Sequence, residues 1–254
     1  MQPRLTLLAA WGLTLASATP LAHADFIGIF IGAGVWDHAP SGTTQYQGDE
    51  LDVEQDLGLG GDTQSFGWLA VEHPLPLLPN LRLGLTRARN AGDALVTTSF
   101  TFGGQTFTVS EQIASVVELD QQDATFYYEV LDNVVSLDLG IDVKRIKGTA
   151  EVTSRTTGIT EATSFDAWIP MLYGRADLAL PLTGLSVGVE GAGIGYSGSS
   201  LTDLTARVAY ETDTFPALGL ELGYRRQNLT LDDVDGVSTD IDLDGPFAAM
   251  YFHF

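Results

Sequence analysis

The chain has 254 residues, 12 Lys and Arg against 33 Asp and Glu for a formal net charge of −21, no cysteine, and 44% hydrophobic residues. A charge of that sign repels nucleic-acid phosphates, and the lack of cysteine removes disulfide frameworks, thiolate zinc sites, thiol nucleophiles and iron–sulfur clusters. With 12 Phe, 8 Tyr and 4 Trp among the apolar residues, the composition is too rich in core formers for a solvated coil and describes one ordered, acidic domain.

Residues 1–24 read as a secretory leader: Arg4 supplies the positive start, Leu5 to Ala18 the apolar stretch, and Ala22-His23-Ala24 a small-x-small cleavage site. The apolar stretch is shorter than the roughly 20 residues of a spanning helix, so cleavage after Ala24 is expected, leaving 25–254 as the folded domain.

After residue 24 no run of 18 apolar residues occurs, and period-two alternation takes over. Between Phe26 and Trp36 the residues Ile27, Ile29, Ile31, Ala33 and Val35 share one face, with Gly28, Gly32 and Gly34 on the other. Ser65 to Glu72 is apolar on both faces and is counted as a strand. Leu81 to Thr86 and Asp123 to Leu131 follow. In Val134 to Lys144 the odd positions Val135, Leu137, Leu139, Ile141 and Val143 are apolar, while Ser136, Asp138, Asp142 and Lys144 are polar. Thr163 to Ala179, Leu185 to Tyr196, Leu204 to Thr212, Ala217 to Gln227 and Ile241 to Phe254 complete the series. Short turns at Asp132-Asn133, Pro181 to Gly184 and Thr214 to Pro216 alternate with long polar connections, the pattern of outer-membrane barrels.

The reading is therefore an all-β, transmembrane, antiparallel up-and-down β-barrel of about ten strands, with eight or twelve as alternatives. The uncertainty in number turns on Ala94 to Gln112, read as a hairpin above the membrane turning at Gly103-Gly104 rather than as two more spanning strands. Alternation alone fits a soluble barrel equally well. The end of the chain favours the membrane: Ala248, Met250, Phe252 and the terminal Phe254 form one apolar row, and Phe252 and Phe254 resemble the carboxy-terminal signal read by the outer-membrane assembly machinery.

The stretch Glu72-His73-Pro74-Leu75-Pro76-Leu77-Leu78-Pro79-Asn80-Leu81, with Asp56-Leu57-Gly58, Tyr196-Ser197-Gly198, Gly223-Tyr224-Arg225 and Phe252-His253-Phe254, resembles a family of small Gram-negative outer-membrane β-barrel proteins of unknown function. The resemblance implies a barrel in the outer membrane and no activity assigned to residues. Pro74, Pro76 and Pro79 forbid regular strand pairing, so this segment is expected to be a rigid periplasmic turn between the second and third strands.

Alternation places Glu129, Asp138, Asp142, Asp177, Glu190, Glu211 and Glu221 with Arg82, Lys144, Arg175, Arg207 and Arg225 on the lumen side. The spacing suggests Arg207 beside Glu211 and Glu221 beside Arg225, a salt-bridged and largely closed interior. The acidic surplus falls in three segments without Lys or Arg: 37–62, 91–123 and 228–244. These segments predict an acidic extracellular crown, in which Asp232, Asp233, Asp235, Asp240 and Asp242 are candidate ligands for divalent cations; Leu231 at the first ligand position argues against a calcium loop of the EF-hand type.

His38, beside Asp37, is the best candidate for a general base at the rim, but no GxSxG elbow or HExxH accompanies it. The sequence thus predicts no enzyme and no cofactor. It predicts a monomer that meets outer-membrane lipid, lipopolysaccharide, the barrel assembly machinery and divalent cations, and acts through its acidic loops. A narrow cation-preferring channel or small-solute transporter is the alternative, and a hydrolase or acyltransferase at the rim the third reading.

Overall fold

The computed structural model describes residues 27–234 and 236–254; the expected leader and Asp235 lie outside the described residues. Thirteen strands follow in order: β1 Gly28–Tyr46, β2 Glu50–Asp52, β3 Asp62–Glu72, β4 Asn80–Leu95, β5 Phe100–Phe102, β6 Gln105–Phe107, β7 Gln112–Asp132, β8 Val135–Ser154, β9 Thr160–Leu180, β10 Leu185–Tyr196, β11 Ser199–Glu211, β12 Ala217–Val234 and β13 Val237–His253. Ten of them form a closed antiparallel barrel in sequence order, and β13 returns to pair with β1. The short β2 pairs with the upper end of β1, and β5 and β6 form a separate hairpin turning at Gly103-Gly104, as the sequence predicts. Both glycines have positive φ, the geometry a tight turn needs and a side chain resists.

The strands are longer than their apolar stretches. The alternation that ends at Thr86 in the sequence continues to Leu95, and that ending at Lys144 continues to Ser154. β1 likewise runs ten residues past Trp36. Connections expected to be long polar loops are in large part strand extensions that raise the barrel wall above its apolar belt.

The two faces exchange character partway up this wall. On β8, Leu139 and Ile141 are exposed on the outside while Asp138, Asp142 and Lys144 are buried within. From Arg145 upward the outside carries Arg145, Lys147, Thr149, Glu151 and Thr153, and the inside Ile146, Gly148, Ala150 and Val152. No register shift intervenes: the bulge on this pair of strands lies lower, at Glu129 to Leu131. The other strands cross over at corresponding points, between Val35 and Asp37 on β1, Leu85 and Arg87 on β4, and Tyr224 and Arg226 on β12. An apolar exterior over a polar interior is the arrangement a bilayer selects, and the reverse is that of a water-soluble barrel.

At the opposite end of the barrel the proline segment forms a clipped turn. Asn80 Oδ1 accepts from the His73 backbone N–H at 3.0 Å, the Leu78 N–H donates to the Leu75 carbonyl at 3.2 Å, and Glu72 accepts from the Tyr127 hydroxyl at 2.8 Å. Pro74, Pro76 and Pro79 lie between β3 and β4 at the end where the chain also finishes, and Phe254 exchanges backbone hydrogen bonds with Ile29. Phe252 and Phe254 face outward, each about 44% exposed.

Candidate functional site: the layered barrel interior

The interior is built in layers. The lowest holds Glu211, which accepts from the Tyr251 hydroxyl at 2.7 Å and lies 3.2 Å from His253. Glu211 therefore sits below Arg207 and does not pair with it, contrary to the spacing argument.

Above it lies the first charged layer. Arg82 from β4 reaches across to both carboxylate oxygens of Glu190 on β10 at 3.0 Å. Arg207 donates to Glu190 at 2.9 Å and to Asp177 at 2.8 and 3.0 Å, with Glu221 at 3.6 Å, and Arg175 donates to Asp177 at 2.6 Å. The Arg82 guanidinium also covers the Trp68 ring at 5.4 Å. Asp138 is buried on the same level, opposite Arg175 in the β8–β9 register.

A second charged layer follows. Lys144 is clamped between Asp123 and Asp203, and Arg225 makes a forked contact with Asp203 at 2.6 and 2.9 Å and a bond to Thr86 at 3.2 Å. Asp142 accepts from Thr125 at 2.9 Å. Two members escaped the sequence reading. Asp203 lies just before the stretch taken as a strand, and Asp123, the first residue of another such stretch, is counted with the acidic crown. Parity counted down from Lys144 through the β7–β8 register would have found Asp123. Glu221, expected beside Arg225, contacts Arg207 instead, because barrel stagger brings strands together at heights that spacing within one strand does not give.

Between the two charged layers a cavity of about 110 Å³ remains, bordered by Arg82, Asp123, Lys144, Glu190, Asp203 and Arg225. It has room for several waters.

The lumen is then bridged by Gln121 of β7 and Gln227 of β12, whose amides exchange hydrogen bonds of 2.7 and 2.8 Å. His38 lies at this level too. It is 1% exposed, points inward, lies tilted against the Trp36 ring with centroids 4.6 Å apart, and has Nε2 without a hydrogen-bond partner. It is not at an open rim, because β1 continues eight residues beyond it.

Above the glutamines the interior is mainly apolar, with single buried polar side chains such as Ser115, Thr239 and Ser154 set among hydrocarbon. Leu119, Ile146, Met171, Leu201, Leu229 and Leu243 form one buried layer. Leu51, Val53, Leu57, Phe100, Phe102, Phe107, Ile113 and Val152 form the next, supplied in part by β2 and the β5–β6 hairpin folded inward. Glu111 closes this end by accepting from Thr108 at 2.7 Å and from the Ser154 hydroxyl, contacts that hold its carboxyl below the usual range.

The acidic crown is thereby redrawn. Arg87 pairs with Asp120 at 2.9 Å, Arg89 with Glu118 at 2.8 Å, Arg145 with Asp166 at 2.7 Å, Arg155 with Asp93 at 2.6 Å and Arg226 with Asp242 at 2.9 Å, all on the outer wall above the apolar belt. These basic residues lie outside the three acidic segments in sequence but next to them across the strands. The cation candidates disperse: Asp242 is held by Arg226, Asp240 accepts from Asn228 at 3.1 Å, Asp232 sits against the β10–β11 turn at Gly198, and Asp233 adopts a positive φ beside the β12–β13 turn. Among the described residues no three acidic or histidine side chains converge on a metal position.

No protein-family model and no curated protein matches the chain. Solved structures do. The outer-membrane protease OmpT of Escherichia coli aligns over 89% of this chain and 97% of its own, at 10% identity and a TM-score of 0.52. The attachment invasion locus protein Ail of Yersinia pestis, solved with the heparin analogue sucrose octasulfate, aligns over 90% and 99% at 13% identity and a TM-score of 0.40. The transport unit of the E. coli autotransporter AIDA-I aligns over 95% and 94% at 9% identity and a TM-score of 0.42. The likeness to OmpT overturns the expectation that the chain is not an enzyme: a protease is built on this fold, so the absence of soluble-hydrolase motifs does not exclude catalysis. The chain has the fold of the outer-membrane β-barrels.

Proposed function

We propose that the protein is exported by a leader cleaved after Ala24, inserted in the outer membrane of a Gram-negative bacterium, and works through the body raised above the bilayer rather than through its lumen. The observation that carries this reading is the interior layering. The ion pairs of Arg82, Arg207 and Arg225 fill the charged layers, the Gln121–Gln227 pair crosses above them, and the Leu119–Met171–Leu201 layer lies over that. An ion leaving the lower layers upward meets closely packed hydrocarbon, where the cost of stripping its water is prohibitive.

The remaining wall is an ordered surface of paired charges, suited to contact with saccharide, lipopolysaccharide phosphate or protein. Divalent cations act there as diffuse counter-ions to the acidic excess, and the assembly machinery reads Phe252 and Phe254 during insertion. Planar-bilayer recording of refolded protein in KCl tests the reading. The expected result is insertion without discrete conductance; regular conductance steps abolished by a lumen variant such as R82E would overturn it and restore the cation-channel alternative.

A further inference from the structure

The barrel wall is incomplete on one side. β9 pairs with β8 along its whole length, as far as Thr153 opposite Thr160, but with β10 only up to Leu172 opposite Gly193. The β10–β11 hairpin turns at Ser197-Gly198, and β11 leaves β12 at Ser200 opposite Thr230. Residues 160–171 of β9 therefore have no ladder partner on their second side among the described residues, and a gap opens above the hairpin between β9 and β12.

Behind the gap lies an apolar cavity whose enclosed part measures about 50 Å³, bordered by Val117, Ala150, Phe165, Leu229, Leu231 and Ile241. Phe165, Leu231 and Ile241 face inward yet are only half-buried, as the walls of an accessible pocket are. On the far wall Ser115 is 1% exposed, and its hydroxyl, alone among the polar side chains around this cavity, is fully buried without any hydrogen-bond partner. A buried hydroxyl left unpaired is costly, and a ligand oxygen placed against it removes that cost.

We infer that this cavity binds a short, linear, uncharged amphiphile, one oxygen of which bonds to Ser115 while its alkyl chain lies along Phe165, Leu229, Leu231 and Ile241 toward the gap. The dimensions and charges select this class. The volume is a third of the roughly 150 Å³ that accommodates a benzene ring, so the cavity holds only part of a ligand, and a linear chain can leave the rest of its length in the gap. A carboxylate is excluded twice: no cation lines the cavity to compensate its burial, and the one charged side chain that borders it, Glu151, is itself acidic. Along the unpaired stretch of β9 the outward residues are Ser164 and Asp166 above and Trp168 and Pro170 below, so the upper part of the opening faces the aqueous side and only its lower edge meets the apolar belt.

The inference rests on reading the extracellular body as the working part, but it is tested separately. Refolded full-length protein in nanodiscs is titrated with 1-hexanol, hexane and hexanoate, following the backbone amide signals of residues 115–119 and 148–152. Hexanol is expected to give saturable shifts, with hexanoate at least tenfold weaker. A150F, which fills the space, should weaken hexanol at least tenfold, and S115A about three- to tenfold while leaving hexane unchanged. Hexanol shifts that are absent, fail to saturate, or persist unaltered in A150F with its barrel amide signals intact would overturn the proposal, as would hexanoate binding as tightly as hexanol. A conducting barrel that still bound hexanol would sink the proposed function and leave this site standing.

Discussion

The lower and upper halves of this barrel use the same alternation with opposite results. In the lower half Leu139, Ile141, Leu220 and Leu222 face outward over a lumen of arginine, lysine and carboxylates. In the upper half Arg87, Arg145 and Arg226 face outward over Met171, Phe102 and Ile113. The strands run through both without a change of parity, so the difference lies in the medium outside. Lipid draws apolar groups outward and leaves the polar ones to satisfy one another within; water does the reverse. The two interiors accordingly depend on different physics. The lower is held by a few directional contacts, each vulnerable to loss of its partner, and the upper by close packing spread over many residues.

The largest expected effect comes from stranding charge in the lower half. Asp203→Ala removes the shared partner of Lys144 and Arg225, and unfolding in urea from lipid vesicles should show a loss of about 3–5 kcal/mol, the cost typical of breaking a buried pair. In the upper half, Met171→Ala deletes a side chain 1% exposed and should cost about 2–5 kcal/mol by the same measurement, through a cavity rather than an unpaired charge. The double variant should add these losses if the halves are independent, and non-additivity would show that the Gln121–Gln227 bridge couples them.

The position of the exchange itself can be tested with one substitution on each side of it. Leu222→Lys, on the outward face within the apolar belt, should destabilise by about 2–4 kcal/mol, whereas Thr230→Lys, four inward–outward alternations higher on β12, should change stability by less than about 0.5 kcal/mol. Equal effects would displace the proposed membrane boundary.

Smaller effects are expected at the top. Glu111 is held below the usual carboxylate range by its hydroxyl partners, so its contribution is present at neutral pH and lost as pH falls through that lowered value. The protection of the β5–β6 hairpin amides against exchange, relative to the intrinsic rate at each pH, should therefore fall on acidification, and Glu111→Gln should flatten that dependence; an unchanged profile would assign the closure of the hairpin to Phe100 and Phe107 alone. Least of all, Arg87→Ala should cost no more than about 1 kcal/mol, because the pair with Asp120 is well exposed.

Ten strands, their order, the hairpin at Gly103-Gly104, the proline turn and the inward placement of Arg82, Lys144, Arg175, Arg207 and Arg225 were legible in the residues, because a period of two is local and each strand displays its own parity. Strand ends were not. The apolar row on β8 stops at Val143, and Arg145 reads as the start of a loop until it is recognised that both faces change together. The partners of the lumen charges were not legible either. Arg82 finds Glu190 more than a hundred residues away, and Lys144 finds Asp203, through the stagger of a closed barrel that no single strand encodes. The sequence by itself determined which residues share a face. Only closure of the barrel, and the medium on each side of its wall, decided where the two faces exchange character, which charges meet, and where the wall is left open beside β9.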